Sequence, residues 1–302
     1  MALALQNKFS TEYKRGLLLV LIAGVLWSTV GLGIRIIQDA GVWQILLYRS
    51  FSLSVFLATV IYLRSGLSPV AIVVRSNCNT HIAAISLVGA YSGGIFAIQN
   101  TSVANAMLLF ATAPFFAAIL GWLILREKVR TFTWFAILIS FVGIGIMVYD
   151  KSDGIILFGS LAALGSALGF AIFTAALRYG RAGDMLPSVF LSGIYAICIM
   201  SSICALADLE FLLSVNDGSI AVGMGIFQVG AGLVLYTIGS KTVPAVELTL
   251  LSLAEVILGP VWVFFFLNET ASVNTLIGGT ILLLAIAGNA ATGARRKPPM
   301  IN

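Results

Sequence analysis

Ten apolar runs follow one another along the chain, many of them joined by only a few residues: 16–37, 42–63, 80–99, 102–125, 132–149, 154–177, 187–207, 218–240, 243–267 and 272–292. Each is long enough to cross a hydrocarbon core of roughly 30 Å at about 1.5 Å per helical residue. Lipid offers a backbone no water, so a spanning segment closes its hydrogen bonds within itself or within a sealed barrel. Barrel strands alternate apolar and polar positions, and these runs do not. The expected fold is therefore all-α and integral to the membrane, with ten transmembrane helices. Composition agrees: 60% of residues are hydrophobic, 10% are charged and mean hydropathy is +1.05, far from a soluble domain.

The net charge of +5 does not point to nucleic acid, because the basic residues sit in short clusters between apolar runs, where they set topology. With a cytoplasmic N-terminus, the inside segments hold Lys8, Lys14, Arg15, Arg64, Arg75, Arg126, Lys128, Arg130, Arg178, Arg181, Lys241, Arg295, Arg296 and Lys297, which is 14 of the 17 Lys and Arg. Arg35 and Lys151 fall outside, and Arg49 falls within a span. Both termini are thus expected in the cytoplasm. The first run exceeds the roughly 7–15 residues of a signal-peptide core, so it stays as a span. Cys78, Cys198 and Cys204 have no metal or redox spacing and read as small packing residues.

The chain also echoes itself. Val243–Glu269 is an apolar run with an internal Pro260 that ends on Glu269; Ser102–Glu127 is another, with Pro114 and Glu127. The two glutamates lie 142 positions apart, and Arg35 and Arg178 lie 143 apart. Two five-helix units, 1–150 and 151–302, are expected. Each holds an odd number of spans, so counterparts face opposite sides of the bilayer. Such an inverted-topology repeat encloses a central cavity at mid-depth in many secondary transporters. Gly89-xxx-Gly93 and Gly165-xxx-Gly169 place small residues one turn apart for close helix contact. Pro114 and Pro260 each remove a backbone donor inside a span, as a gate or as a fixed kink.

These patterns have a known likeness. Tyr48-Arg49, Asn100-Thr101-Ser102-Val103-Ala104-Asn105-Ala106 leading into Ala113-Pro114-Phe115, and Leu125-Arg126-Glu127-Lys128 resemble the EamA family of the drug/metabolite transporter superfamily. The second half repeats the pattern with Lys241-Thr242-Val243-Pro244-Ala245-Val246-Glu247 and Leu267-Asn268-Glu269-Thr270. The details lean toward the family's aromatic amino-acid exporters. The resemblance implies a bacterial inner-membrane exporter of amino acids or related metabolites, with spans 1–4 and 6–9 around the cavity and spans 5 and 10 peripheral. Two departures stand out. Family members often carry Leu-Gly before the Glu, where this chain has Arg126 and Asn268, and its first span lacks the membrane Glu that small multidrug-resistance relatives use for proton coupling.

Buried polar groups are the guide to cargo, because each costs free energy unless it meets a partner, a substrate or water. Glu255, near mid-span, costs about 3 kcal/mol on an insertion scale; it is a candidate proton site or a contact for a substrate ammonium. Glu247, nearer the cytoplasm, is a weaker candidate that can pair with Lys241, and His81, the only histidine, suits proton exchange. Arg49 suits a substrate carboxylate, an ion pair or snorkelling to the interface. Trp27 and Tyr91 lie near the centres of spans 1 and 3, where their polar tips suit a cavity better than lipid and their rings can stack on an apolar or aromatic side chain. Ser28, Thr29, Gln99, Asn105, Gln228 and Tyr236 offer orienting hydrogen bonds, with ordinary helix packing as the rival role for each.

No nucleophile–base grouping, zinc spacing or phosphate loop is present, and Gly223-x-Gly225 lies in an apolar span with no preceding strand. No enzyme, metal or cofactor is expected, and with only Arg49 and Lys241 near a cavity, phosphate-bearing cargo is disfavoured. The sequence thus predicts a transporter working by alternating access on an apolar or aromatic amino acid, with the bilayer and a small molecule as partners and a monomer compatible with both. Its rivals are a broad drug/metabolite efflux permease, a channel and an integral-membrane enzyme.

Overall fold

Long apolar runs with no competing turn chemistry become helix almost throughout. The computed structural model describes residues 2–294 apart from 67, 125, 150–153, 181–184, 240, 241 and 244, with backbone alone at 2–11, 65, 70, 72, 245–250, 252, 253, 293 and 294. The helices are α1 (Ala2–Ser28), α2 (Val30–Ile36), α3 (Val42–Ser65), α4 (Pro69–Arg75), α5 (Cys78–Asn100), α6 (Val103–Phe110), α7 (Ala113–Leu123), α8 (Thr131–Tyr149), α9 (Gly154–Tyr179), α10 (Leu186–Leu206), α11 (Val215–Gly223), α12 (Gly232–Gly239), α13 (Ala245–Leu267) and α14 (Val273–Ala294). A π-helical segment, Met224–Ala231, joins α11 to α12. Among the described residues nine helical stretches are long and apolar enough to cross a membrane, and Ala254–Leu267 of α13 is a shorter apolar one.

Three spans are interrupted, each for a local reason. Between α1 and α2, the hydroxyls of Ser28 and Thr29 donate to the carbonyls of Val25 (2.7 Å) and Leu26 (2.6 Å), competing for acceptors the helix ladder would use. Between α6 and α7, Thr112 donates to Leu109 O at 2.7 Å just before Pro114, which has no N–H to give. The third interruption is the π segment, where Gly225 and Gly230 leave the backbone bare. Pro260 differs: it sits inside α13 without breaking it.

The most extensive packing joins early helices to late ones: α5 on α9, α8 on α14, α3 on α10, α1 on α12 and α13. Glycine sets several of these approaches. At the α5–α9 crossing a Cβ on Gly93 would lie 2.8 Å from Ala162 O, and one on Gly169 would lie 2.9 Å from Ser86 O. Ser166 Oγ also donates to Ala90 O there, at 2.6 Å. Only one glycine of each small-residue pair is used this way, since Gly89 and Gly165 face open space. At the α8–α14 crossing Gly143 and Gly278 back onto each other's carbonyl.

Buried apolar side chains form two clusters, one centred on residues such as Ile45, Ile95, Leu109 and Leu282, the other on Leu53, Leu57, Leu87 and Phe190. Tyr91 packs against both, so it marks the seam between them. Large apolar side chains such as Phe51, Leu63, Phe135, Leu138 and Phe265 point outward, as a lipid-facing surface requires.

Candidate functional site

Where α1 ends, four elements converge. The Trp27 ring lies 5.3 Å from that of Tyr236 on α12, tilted by 41°. From the π segment, Gln228 Nε2 donates to Trp27 O at 3.4 Å, while Gln228 Oε1 is enclosed without a partner. Gly232 leaves room for the indole, since a Cβ there would lie 2.5 Å from Trp27 Nε1. Trp262 of α13, which sequence reasoning passed over, donates from Nε1 to Ser28 Oγ at 2.8 Å. The structure therefore brings Trp27, Ser28, Gln228 and Tyr236 together. Ser28 itself is fully buried, and Thr29 is occupied by its own helix.

A second group lies across α3 and α5. Arg49 is 5% exposed, and its guanidinium carbon stands 4.7 Å from the centre of the Tyr91 ring. The two ion pairs among the described residues involve neither Arg49 nor any neighbour of it on α3. A guanidinium at mid-membrane costs about 3 kcal/mol on an insertion scale, and a desolvated cation–π contact returns about 2. The enclosed, unpartnered side-chain polar atoms among the described residues are Ser54 Oγ, Asn105 Oδ1 and Gln228 Oε1.

The remaining candidates are dispersed. Gln99 donates to Ala40 O at 3.2 Å and lines a pocket of about 470 Å³ with Arg35, Asn100, Thr101, Ser102, Thr270 and Ser272. That pocket lies at one end of the bundle, beyond the mid-depth position expected of a central cavity. Asn105 is fully buried and donates to Thr101 Oγ1 (3.1 Å) and Ser160 Oγ (2.9 Å), a bond between α6 and α9. His81 Nδ1 meets Tyr195 Oη of α10 at 2.6 Å. Glu255 is half-buried and has no polar partner among the described residues. Lys241 and the side chain of Glu247 lie outside the described residues.

The two echoing Arg and Glu positions find each other crosswise. Arg35, in the last turn of α2, pairs with Glu269 through Nε–Oε2 (2.8 Å) and Nη2–Oε1 (3.3 Å), and it donates to Thr101 O at 2.7 Å. Glu269 Oε1 also accepts from Val103 N at 2.7 Å, at the start of α6. At the far end of that same span, Glu127 pairs with Arg178 of α9. Asp217, another residue the sequence did not single out, is 1% exposed and accepts from the backbone N–H of Gln38, Asp39 and Ala40 at 3.2, 3.0 and 3.1 Å. The helix-start pattern Ser214-x-x-Asp217 was the available signal, with Ser214 Oγ accepting from Asp217 N.

The model of the EamA-like transporter family covers residues 14–149 and again 157–290. The chain belongs to the EamA-like transporter family. It is 24% identical over 292 residues to the uncharacterized transporter YwfM of Bacillus subtilis, covering 93% of this chain and 95% of that protein. An uncharacterized transporter of Clostridium kluyveri is 21% identical, covering 90% and 91%, and one of Archaeoglobus fulgidus is 28% identical over 64% and 68%. A solved crystal structure superposes with a TM-score of 0.66 at 18% identity, covering 93% of this chain and 99% of the other, which speaks to fold alone. Family and helices together make this a multi-pass membrane protein of a transporter family, with a small molecule and the bilayer as the partners membership implies.

Proposed function

We propose that this EamA-family protein is a secondary transporter that exports amino acids, apolar or aromatic ones above all, by alternating access. Its ten spans would form two inverted five-helix repeats, 1–150 and 151–302, rocking about a cavity between them in a bacterial inner membrane with both termini cytoplasmic. Two successive family matches along the chain support the repeat, as do the ion pairs Arg35–Glu269 and Arg178–Glu127, which exchange when each residue is moved by 142 or 143 positions. The observation that carries the cargo reading is the tilted Trp27–Tyr236 ring pair between α1 and α12, with the Gln228 acceptor, unpaired among the described residues, beside it. Polar-tipped rings that pack between the two sets of five spans suit an aromatic or branched apolar side chain. Glu255, half-buried and unpartnered among the described residues, is the candidate for a substrate ammonium or a coupled proton.

Counterflow in liposomes tests this. Purified protein loaded with unlabelled amino acids should take up labelled phenylalanine or leucine, with saturation and no unitary currents. Absence of flux across the twenty amino acids at pH 5.5–8 sinks the cargo assignment, and unitary currents would make the protein a channel.

A further inference from the structure

We infer that Arg49 and Tyr91 together form a carboxylate-binding subsite, so that the cargo is an organic acid with an apolar body, whether or not it also carries an amine. The inference rests on the transporter reading but not on amino acids as the cargo. Arg49 is all but buried, stands against the Tyr91 ring, and pairs with no carboxylate among the described residues. The Tyr91 hydroxyl likewise has no hydrogen-bond partner among the described residues. Two donors thus stand side by side, one permanently cationic, with no acceptor among the described residues to satisfy them.

Their place in the fold gives the subsite its setting. Arg49 is seven residues into α3 from Val42, and Tyr91 is nine residues back from the end of α5 at Asn100. Both therefore lie roughly 10–14 Å inside the same end of the bundle by helical rise. Tyr91 borders both apolar clusters, so a carboxylate held here would leave the rest of the cargo against apolar walls. The backbone behind Arg49 is pinned: Ser52 Oγ donates to Val222 O at 3.0 Å, and Gly225 lets the π segment touch the Arg49 carbonyl. With its backbone pinned and its guanidinium resting against the Tyr91 ring, Arg49 has less freedom to lose when cargo arrives, which lowers the entropy cost of binding.

Binding to the full-length protein in detergent micelles tests the subsite without any flux assay. The probes are 3-phenylpropionate and phenethylamine, which share a ring and a two-carbon stem and differ in the sign of the charge. The acid should bind at least tenfold more tightly than the amine. Arg49→Gln should weaken acid binding about 10- to 100-fold, the usual weight of a charged hydrogen bond, with Arg49→Lys falling in between. Tyr91→Phe, which keeps ring and charge, should weaken it a few-fold and stands in if Arg49→Gln does not fold. Equal binding of acid and amine, undetectable acid binding, or unchanged affinity in the variants overturns the subsite. Acid binding without flux of any acid would leave the subsite standing and remove the transporter reading; flux confined to amines or neutral drugs would do the reverse.

Discussion

Moved by 142 positions, Trp27 and Tyr236 fall on Gly169 and Gly94. The two helix crossings so related are built in opposite ways. At α5–α9, glycines bring backbones into contact, and a hydroxyl-to-carbonyl bond crosses the gap. At α1–α12, two large rings stand between the helices, and the neighbouring segment is π-helical, a departure often found at functional sites. One crossing is a tight backbone weld; on the proposed transport reading the other is a wall that cargo would touch. The same asymmetry holds for charge. Arg49 falls on Leu191 or Ser192 when moved by 142 or 143 positions, and Glu255 falls on Ala113 or Thr112. On the proposed inverted-repeat reading, a repeated frame thus carries unrepeated contents, as a carrier of one asymmetric molecule requires.

The contrast predicts opposite phenotypes. Gly169→Leu forces a side chain against the backbone of Ser86 and Ala90 and should cost about 3 kcal/mol or more, read as loss of monodisperse protein or a sharply lowered Tm in detergent. Trp27→Leu should keep the fold and lower aromatic amino-acid flux or affinity about tenfold, because ring stacking goes and bulk stays. A stable Gly169→Leu with a misfolded Trp27→Leu would reverse the assignment of weld and wall.

The two ends of the bundle give a smaller contrast. Arg35–Glu269 carries two ion-pair contacts plus bonds to Thr101 O and Val103 N, with side chains 27% and 21% exposed; Arg178–Glu127 is 49% and 41% exposed. In addition α2 packs on α5 at the first end. Glu269→Gln should therefore cost about 2 kcal/mol and Glu127→Gln under about 1, compared as Tm in detergent at low salt. On the alternating-access reading, Glu269→Gln also shifts the carrier toward opening at the Arg35 end, so a cysteine placed at Gln99 should label faster with a membrane-impermeant maleimide. Equal losses in the two variants would make the closures equivalent.

Spans and echo were legible in the sequence because hydropathy and spacing are one-dimensional signals. Arg35, Arg178, Glu127 and Glu269 stood out for the same reason, but their crosswise pairing did not, since Arg35 and Glu269 lie 234 residues apart and nothing local links them. Polarity marked Ser28 and Asn105 as candidates for orienting hydrogen bonds, with helix packing as the rival role, yet it could not say that Trp262 and Ser160 on neighbouring helices would bond to them. Asp217 went unmarked because a carboxylate near a span end looks solvated until its three backbone donors are seen. The π segment left no trace either: glycines permit the extra residue per turn without announcing it.

The finest comparison lies where α7 and α13 end. Arg126 and Asn268 both take left-handed backbone, at φ 54° and 53°, and the following glutamate amides reach back to Gly121 O (3.0 Å) and Val263 O (3.2 Å), closing each helix in a Schellman-like turn. The family resemblance leads one to expect glycine at this position, and the geometry gives a reason: an L side chain in this region costs about 1–2 kcal/mol, less for Asn. Glycine gives back part of that gain as chain entropy in the unfolded state. Arg126→Gly should therefore raise stability by about 0.5–1 kcal/mol and Asn268→Gly by only a few tenths, seen as a larger rise in Tm for the first. A larger gain at position 268 would mean that the turn beside Glu269 is the more strained of the two, and that the four bonds at the Arg35 end hold it there against its own backbone.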